Sequence, residues 1–277
     1  MYRVSKVLNN NGVIAIDMEE NQEYVILGKG VGFGKKVSQR FEKPAECTLY
    51  RMEQETERGS AKELVKGIEP EYLEIADEIL TEAQKVFGDS VDRGILFPLA
   101  DHISFAVARI RRNEQISNPL TEDIKVLFYS EFKVAETLKI ILKKRLQIAI
   151  DDHEVGYVAL HIHSAIGDEK VSVAMQTARA VRECIDMIEK ATGKPIDVLS
   201  LSYNRLMNHM KYMVARASTG EKLNLDMNEY MLDQYPQAYE IAAEICKNLE
   251  GCIGHKLDET EIGYLAMHIQ RVYKDAV

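Results

Sequence analysis

The spacing of apolar positions divides the chain into two regimes. Over the first fifty-odd residues they come in short runs broken by turn residues. Arg3-Val4-Ser5-Lys6-Val7-Leu8 alternates, Asn9-Asn10-Asn11-Gly12 interrupts it, and Val13-Ile14-Ala15-Ile16, Tyr24-Val25-Ile26-Leu27 and Cys47-Thr48-Leu49-Tyr50 follow. Short β-rich runs separated by tight turns predict an antiparallel sheet. A sheet of this length buries little surface by itself, so dimerisation is the expected way to complete its core. From 52 to 60 the apolar pattern lapses into Glu53-Gln54-Glu55-Thr56-Glu57-Arg58-Gly59-Ser60, which reads as a linker or the solvated start of a helix.

Beyond it the period becomes helical. Tyr72, Leu73, Ile75, Ala76, Ile79, Leu80, Ala83, Val86 and Phe87 mark one face until Gly88-Asp89-Ser90 breaks the pattern. Further helices are expected around His102, over 124–144 (one or two) and around His161. After the connector Gly167-Asp168-Glu169-Lys170 the order repeats, with helices near 171–192, around His209, over 227–249 and around His268. The residues themselves repeat. Asp151, Glu154, Gly156, Tyr157, Ala159 and His161 recur as Asp258, Glu261, Gly263, Tyr264, Ala266 and His268, an offset of 107 residues. The same offset carries His102, Phe105, Val107-Ala108 and Arg109 onto His209, Tyr212, Val214-Ala215 and Arg216. Asp151 and Asp258 are placed as N-caps, with Glu154 and Glu261 reaching back to close a capping box. The predicted fold class is α+β multidomain, with a small antiparallel β-sheet domain over 1–56 followed by two all-α helical-bundle repeats at 62–168 and 169–277.

A chain of 277 residues with 46% hydrophobic content suits two or three folded domains. The net charge of −9 argues against a nucleic-acid partner until it is divided along the chain. Residues 1–56 hold eight Lys/Arg and eight Asp/Glu, so the whole acidic excess lies in the helical remainder. Lys29, Lys35, Lys36 and Arg40 then bunch into a local basic patch. Four cysteines without a CxxC pair point to a reducing compartment and away from a zinc site. With no apolar leader after Met1 and no run of about 18 apolar residues, a cytoplasmic protein without membrane insertion is expected.

Two groups of residues carry candidate chemistry. Leu27-Gly28-Lys29-Gly30-Val31-Gly32-Phe33-Gly34-Lys35-Lys36 has glycine at alternate positions. On an extended backbone this bares one face and places Lys29, Val31, Phe33 and Lys35 together on the other. Phe33 flanked by lysines suits stacked bases and phosphates of single-stranded or looped RNA, with Asn9, Asn10 and Asn11 offering amides to base edges. The plain alternative is a glycine-rich hairpin with ordinary surface lysines. A nucleotide-binding glycine loop is disfavoured, since no helix or βαβ unit follows.

The second group is the matched histidine pairs, His102 with His161 and His209 with His268. His153, His163 and His255 have no counterparts and read as structural or surface residues. A metal-dependent helical phosphohydrolase using His102, His161 and Asp101 is one reading. Against it, Asn208 stands where Asp101 should recur, no other carboxylate recurs at a ligating offset, and Glu154 lies about 10 Å along the helix from His161. Phosphoryl acceptance fits better, because a neutral imidazole is a competent nucleophile and its phosphorylated form adds charge that makes or breaks an interface. Arg109 and Arg216, seven residues after His102 and His209, read either as phosphate partners or as solvated surface arginines. No catalytic residue, metal or cofactor is expected.

Taken together, Lys6-Val7-Leu8-Asn9-Asn10-Asn11, the Gly28–Lys36 glycine string and two helical modules with His102/His161 and His209/His268 resemble the BglG-type transcriptional antiterminators of bacterial sugar operons. The resemblance implies a regulator that is not an enzyme. Its N-terminal co-antiterminator RNA-binding domain would act as a homodimer on a leader-mRNA hairpin and prevent a terminator from forming. By the same resemblance Asn9, Asn11, Gly28, Lys29, Gly30 and Phe33, with Lys6 and Lys35 beside them, are the RNA-binding residues. The modules become PTS regulation domains, with His102, His161, His209 and His268 phosphorylated by the phosphocarrier HPr and a sugar-specific PTS enzyme II. The Gly-Phe-Gly-Lys-Lys variant is similar to the glucose branch.

Overall fold

The structure, a computed structural model, describes residues 1–277 apart from 53, 54, 57, 58, 168, 169, 194, 198, 199, 276 and 277. It forms two compact units, Met1–Asn118 with Ser130–Lys170, and Pro119–Tyr129 with Val171–Val277.

Strands β1 (Tyr2–Asn9), β2 (Gly12–Asp17), β3 (Glu23–Leu27), β4 (Arg40–Phe41) and β5 (Thr48–Arg51) form an antiparallel sheet in the order β4-β1-β2-β3-β5. The register aligns Val13, Ile26 and Leu49 across β2, β3 and β5, and sets Ile14, Val25 and Tyr50 as the next row on the opposite face. On the first face Val4, Val13, Ala15 and Ile26 are covered by Val31 and Phe41 from the chain's own following loop. On the other, the Tyr50 ring meets Phe97 edge-on at 6.3 Å between centroids. The Tyr50 hydroxyl donates to Asp77 and accepts from Arg93. Both faces of β2 are thereby buried within one chain. Within the same unit a loop, a short strand and helices thus bury these rows, while Tyr2, Val7, Tyr24 and Leu49 remain partly buried. The stretch expected to be a linker contains β6 (Glu55–Thr56) and β7 (Gly59–Ser60), which pair as a two-stranded ladder. The rest of that stretch, 53, 54, 57 and 58, lies outside the described residues, as do 168 and 169 of the expected connector.

The helices follow as α1 (Ala61–Gly67), α2 (Pro70–Phe87), α3 (Leu96–Arg111), α4 (Thr121–Leu127), α5 (Tyr129–Ala135), α6 (Thr137–Leu146), α7 (Asp152–Gly167), α8 (Val171–Thr192), α9 (Leu201–Thr219), α10 (Asn228–Gln234), α11 (Pro236–Ile253) and α12 (Thr260–Asp275). In α2, proline opens the first turn, where its missing N–H costs nothing, the predicted apolar stripe is buried from Tyr72 to Ala83 while Val86 is exposed and Phe87 half-buried, and Gly88 ends the helix with φ 68°. The segment 124–144 holds three helices rather than one or two. Phe128, with φ −118° and ψ 47°, leaves the helical region between α4 and α5.

Helix α4 lies in the second unit although its sequence counterpart under the repeat is α10. There α10 packs on α11 and α12, whereas α4 packs on α8 and α9. It buries Ile124 and Leu127, and its Asp123, 2% exposed, accepts a 3.2 Å hydrogen bond from the Tyr203 hydroxyl of α9. Burial pushes the Asp123 carboxyl up against the opposing pull of Arg182. At the counterpart position in α10 stands Tyr230, 54% exposed. Among the described residues no helix is long and apolar enough to cross a membrane.

Candidate functional site

The glycine string is not extended. Val31, Phe33 and Lys35 donate from their backbone N–H groups to the carbonyls of Gly28, Gly30 and Gly32, so 28–36 is a chain of turns. Lys29, Val31, Phe33 and Lys35 therefore do not share a face, contrary to the expectation. Val31 enters the sheet's core, Phe33 is 73% exposed, and the Lys35 ammonium sits 4.9 Å from the centroid of the Phe41 ring. Two of the glycines admit the chain itself rather than a ligand. A Cβ on Gly28 would lie 2.5 Å from the Glu46 carbonyl oxygen, and one on Gly32 would lie 2.0 Å from that of Asn9.

This packing joins the loop to the 9–12 turn. Gly28 and Gly32 donate to the carbonyls of Asn11 and Asn10, and the Gly30 N–H donates to Asn11 Oδ1 at 3.0 Å. Lys6, Lys29, Gly30 and Phe33 are exposed around the joint, with Asn9 and Asn11 half-buried in it. The side-chain amides of these two asparagines are engaged. Asn9 donates to Glu74 Oε1 at 2.6 Å and Asn11 to Glu74 Oε2 at 3.3 Å. Arg145 holds the same Glu74 at 3.3 Å and also Glu78 at 2.7 Å, which fixes the carboxylate between α6 and the asparagines.

The histidines meet as pairs inside each unit. His102 on α3 and His161 on α7 have ring centroids 5.3 Å apart, and His209 on α9 and His268 on α12 stack at 4.8 Å. Tyr157 and Tyr264, one helical turn before the second histidine of each pair, flank His102 and His209 at 5.7 and 6.2 Å. Burial, then the neighbouring His268 and Arg216, pushes the His209 pKa down to about 3. Burial with Arg271 and Arg205 lowers that of His268 to about 4. Both rings are therefore uncharged in the folded protein near neutral pH.

One residue of each site was not foreseen in its role. Glu154 lies 3.5 Å from His102 Nε2 and Glu261 lies 3.8 Å from His209 Nε2. A carboxylate therefore does recur beside the histidines, contrary to the reading that none does. Each is clamped by an arginine, so that neither arginine is the solvated surface residue considered from the sequence: Arg109 reaches both oxygens of Glu154 at 2.8 and 3.2 Å, and Arg216 those of Glu261 at 2.6 and 2.9 Å. Burial pushes the Glu154 carboxyl up, but His102 and Arg109 beside it outweigh that and hold it below the usual range. The capping box is thus half present. Asp151 caps α7 through the N–H groups of His153 and Glu154, while the glutamate side chain turns inward to arginine.

The unmatched histidines sit elsewhere: His153 Nδ1 lies 3.2 Å from the Asn118 carbonyl oxygen, and His163 Nδ1 lies 2.9 Å from Glu131. Asp101 is buried whereas Asn208 is exposed, so the two modules differ at that position. Among the described residues no three His, Cys, Asp or Glu side chains gather as a metal site.

Residues 2–59 match the family model described as CAT RNA binding domain, and 77–165 and 182–272 each match the PRD domain. The chain is 30% identical over 274 residues to the "GlcA/glcB genes antiterminator" of Staphylococcus carnosus (strain TM300), covering 97% of this chain and 94% of that one. It is 28% identical over 278 residues to "Transcription antiterminator LicT" of Bacillus subtilis (strain 168), covering 99% and 100%. Among solved structures it resembles "Crystal structure of GlcT CAT-PRDI" with a TM-score of 0.52 and 28% identity, over 60% of this chain and 98% of that one.

Proposed function

The chain belongs to the family of transcription antiterminators built from a CAT RNA-binding domain and PRD domains, and from that premise we propose how it works. As a homodimer it binds a leader-mRNA hairpin through Lys6, Asn9, Asn11, Lys29, Gly30 and Phe33, which keeps the terminator from forming. HPr and a sugar-specific PTS enzyme II regulate it by phosphorylating His102, His161, His209 and His268. Similarity to the GlcT proteins is consistent with the glucose branch of the family. Lys35, turned onto Phe41, contributes charge near the RNA rather than a base contact.

The observation that carries this reading is Phe33. A phenylalanine 73% exposed at the tip of a loop, with Lys29 and Lys36 in solvent beside it, supports a stacking surface for an unpaired base. In a gel-shift titration of the full chain with a cognate leader hairpin, Phe33→Ala is expected to weaken binding by roughly 1–3 kcal/mol, the range of a lost stacked base. Equal affinity of wild type and variant would overturn the assignment. Sedimentation of the RNA complex tests the dimer, expected at two chains per hairpin. Acid-labile label from a reconstituted HPr system tests the histidines: it should vanish when all four are replaced.

A further inference from the structure

Each histidine pair sits beside a buried ion pair whose charge balance an added phosphoryl group would upset. Glu154 and Glu261 are 3% and 1% exposed, and each is paired with one arginine of the facing helix. Beside each carboxylate stands a buried imidazole nitrogen, His102 Nε2 or His209 Nε2, that makes no hydrogen bond. The four groups recur at the same offset in both units, so the arrangement belongs to the module rather than to one local accident of packing. A buried carboxylate with its arginine is close to neutral as a pair, and removing that partner leaves an uncompensated buried charge. A phosphoryl group on the adjacent nitrogen brings a second anion to the same guanidinium.

We propose that Glu154 and Glu261 are positioning residues that convert phosphorylation of His102 and His209 into separation of the paired helices. When a transient parting of the paired helices admits the donor protein, the imidazole Nε2 lone pair, with the ring proton on Nδ1, attacks the phosphorus of the donor's phosphohistidine. The donor's P–N bond breaks with its electron pair returning to the donor ring, and the PO₃ group moves across. Arg109 or Arg216 then turns from the carboxylate to the phosphoryl oxygens. The displaced glutamate goes to water and takes α7 or α12 with it. The two units differ in degree. Arg205 and Arg271 lie toward His268, whereas Pro98 and Ser164 occupy those positions in the first unit. The second unit thus has two arginines that the first lacks at the matching positions, and its helices should separate less.

The inference rests on the histidine-phosphorylation reading, and the test separates the two. The full chain is phosphorylated by a reconstituted phosphohistidine donor, and label stoichiometry is read together with amide hydrogen exchange along α7 and α12. In wild type, labelling is expected to raise exchange in α7 on the order of tenfold, with a smaller rise in α12. Glu154→Gln, compared with wild type at equal label stoichiometry, should lose the α7 rise while α12 still responds. Glu154→Asp, which keeps the charge, should retain it, and Glu261→Gln gives the reciprocal result in the second unit should the first variant fold poorly. A labelled Glu→Gln variant that opens like wild type overturns the inference alone. No label on wild type overturns the phosphorylation reading itself.

Discussion

The protonation state of His209 and His268 ties the second unit's stability to pH. Their folded pKa values, about 3 and about 4, lie below the 6.5 of an ordinary histidine. Between these limits the unfolded chain binds more protons than the folded one, so stability is full above pH 6.5 and falls as pH drops toward 4. At about 1.4 kcal/mol per unit, moving from pH 7 to pH 5 should cost up to about 2 kcal/mol at buried His209, and less at the more solvent-screened His268. Urea unfolding of His209→Asn at both pH values should show a correspondingly smaller drop, and an identical pH slope would contradict the burial argument. These residues were legible in the sequence because they repeat. Glu154 and Glu261 repeat as faithfully, yet Asp-x-x-Glu already had a sufficient local explanation as a capping box. Contact with an arginine 45 positions away has no trace in helical spacing.

Individual elements were readable wherever a single periodicity governed them. Strands β1, β2, β3 and β5 and helices α2 and α8 follow their patterns because each buries one continuous stripe or row, whereas the two-residue β4 left no pattern to read. The glycine string misled because alternation suggests extended backbone, while the close approach of Gly32 to the Asn9 carbonyl depends on a turn folding back. Helix interiors usually gain about 1 kcal/mol when glycine becomes alanine. Gly263 should do the opposite, since an added Cβ would lie 2.8 Å from the backbone of Met227 and Asn228. Gly263→Ala is expected to lower the urea midpoint, and a raised midpoint would mean that α10 does not sit against α12 as described. Helix α4 gives a second test. Leu127→Ala should cost roughly 2–5 kcal/mol, as for other buried leucines. The loosening should appear as faster amide exchange in α8 and α9 rather than in α2, because α4 packs within the second unit.

For the molecule as a whole, the joint between sheet and helices in the first unit matters most. The two asparagines assigned to RNA already donate to Glu74, which Arg145 holds in place. An RNA that needs those amides must displace a carboxylate, so Glu74→Ala should tighten hairpin binding in a filter-retention assay. The gain should be about the 0.5–1.5 kcal/mol of a hydrogen bond no longer exchanged. Weaker binding by that variant would instead make Glu74 a support for the turn.

Thermodynamic coupling runs in both directions, so whatever the helices do to RNA affinity, RNA does equally to the helices. A transcript that draws Asn9 and Asn11 away from Glu74 leaves that carboxylate to Arg145 and so changes the contact between α2 and α6. The message would then act as an effector as well as a target. Its arrival would alter the regulatory half of the protein before any phosphate is transferred, and the cell's supply of nascent leader would feed back on its own reader.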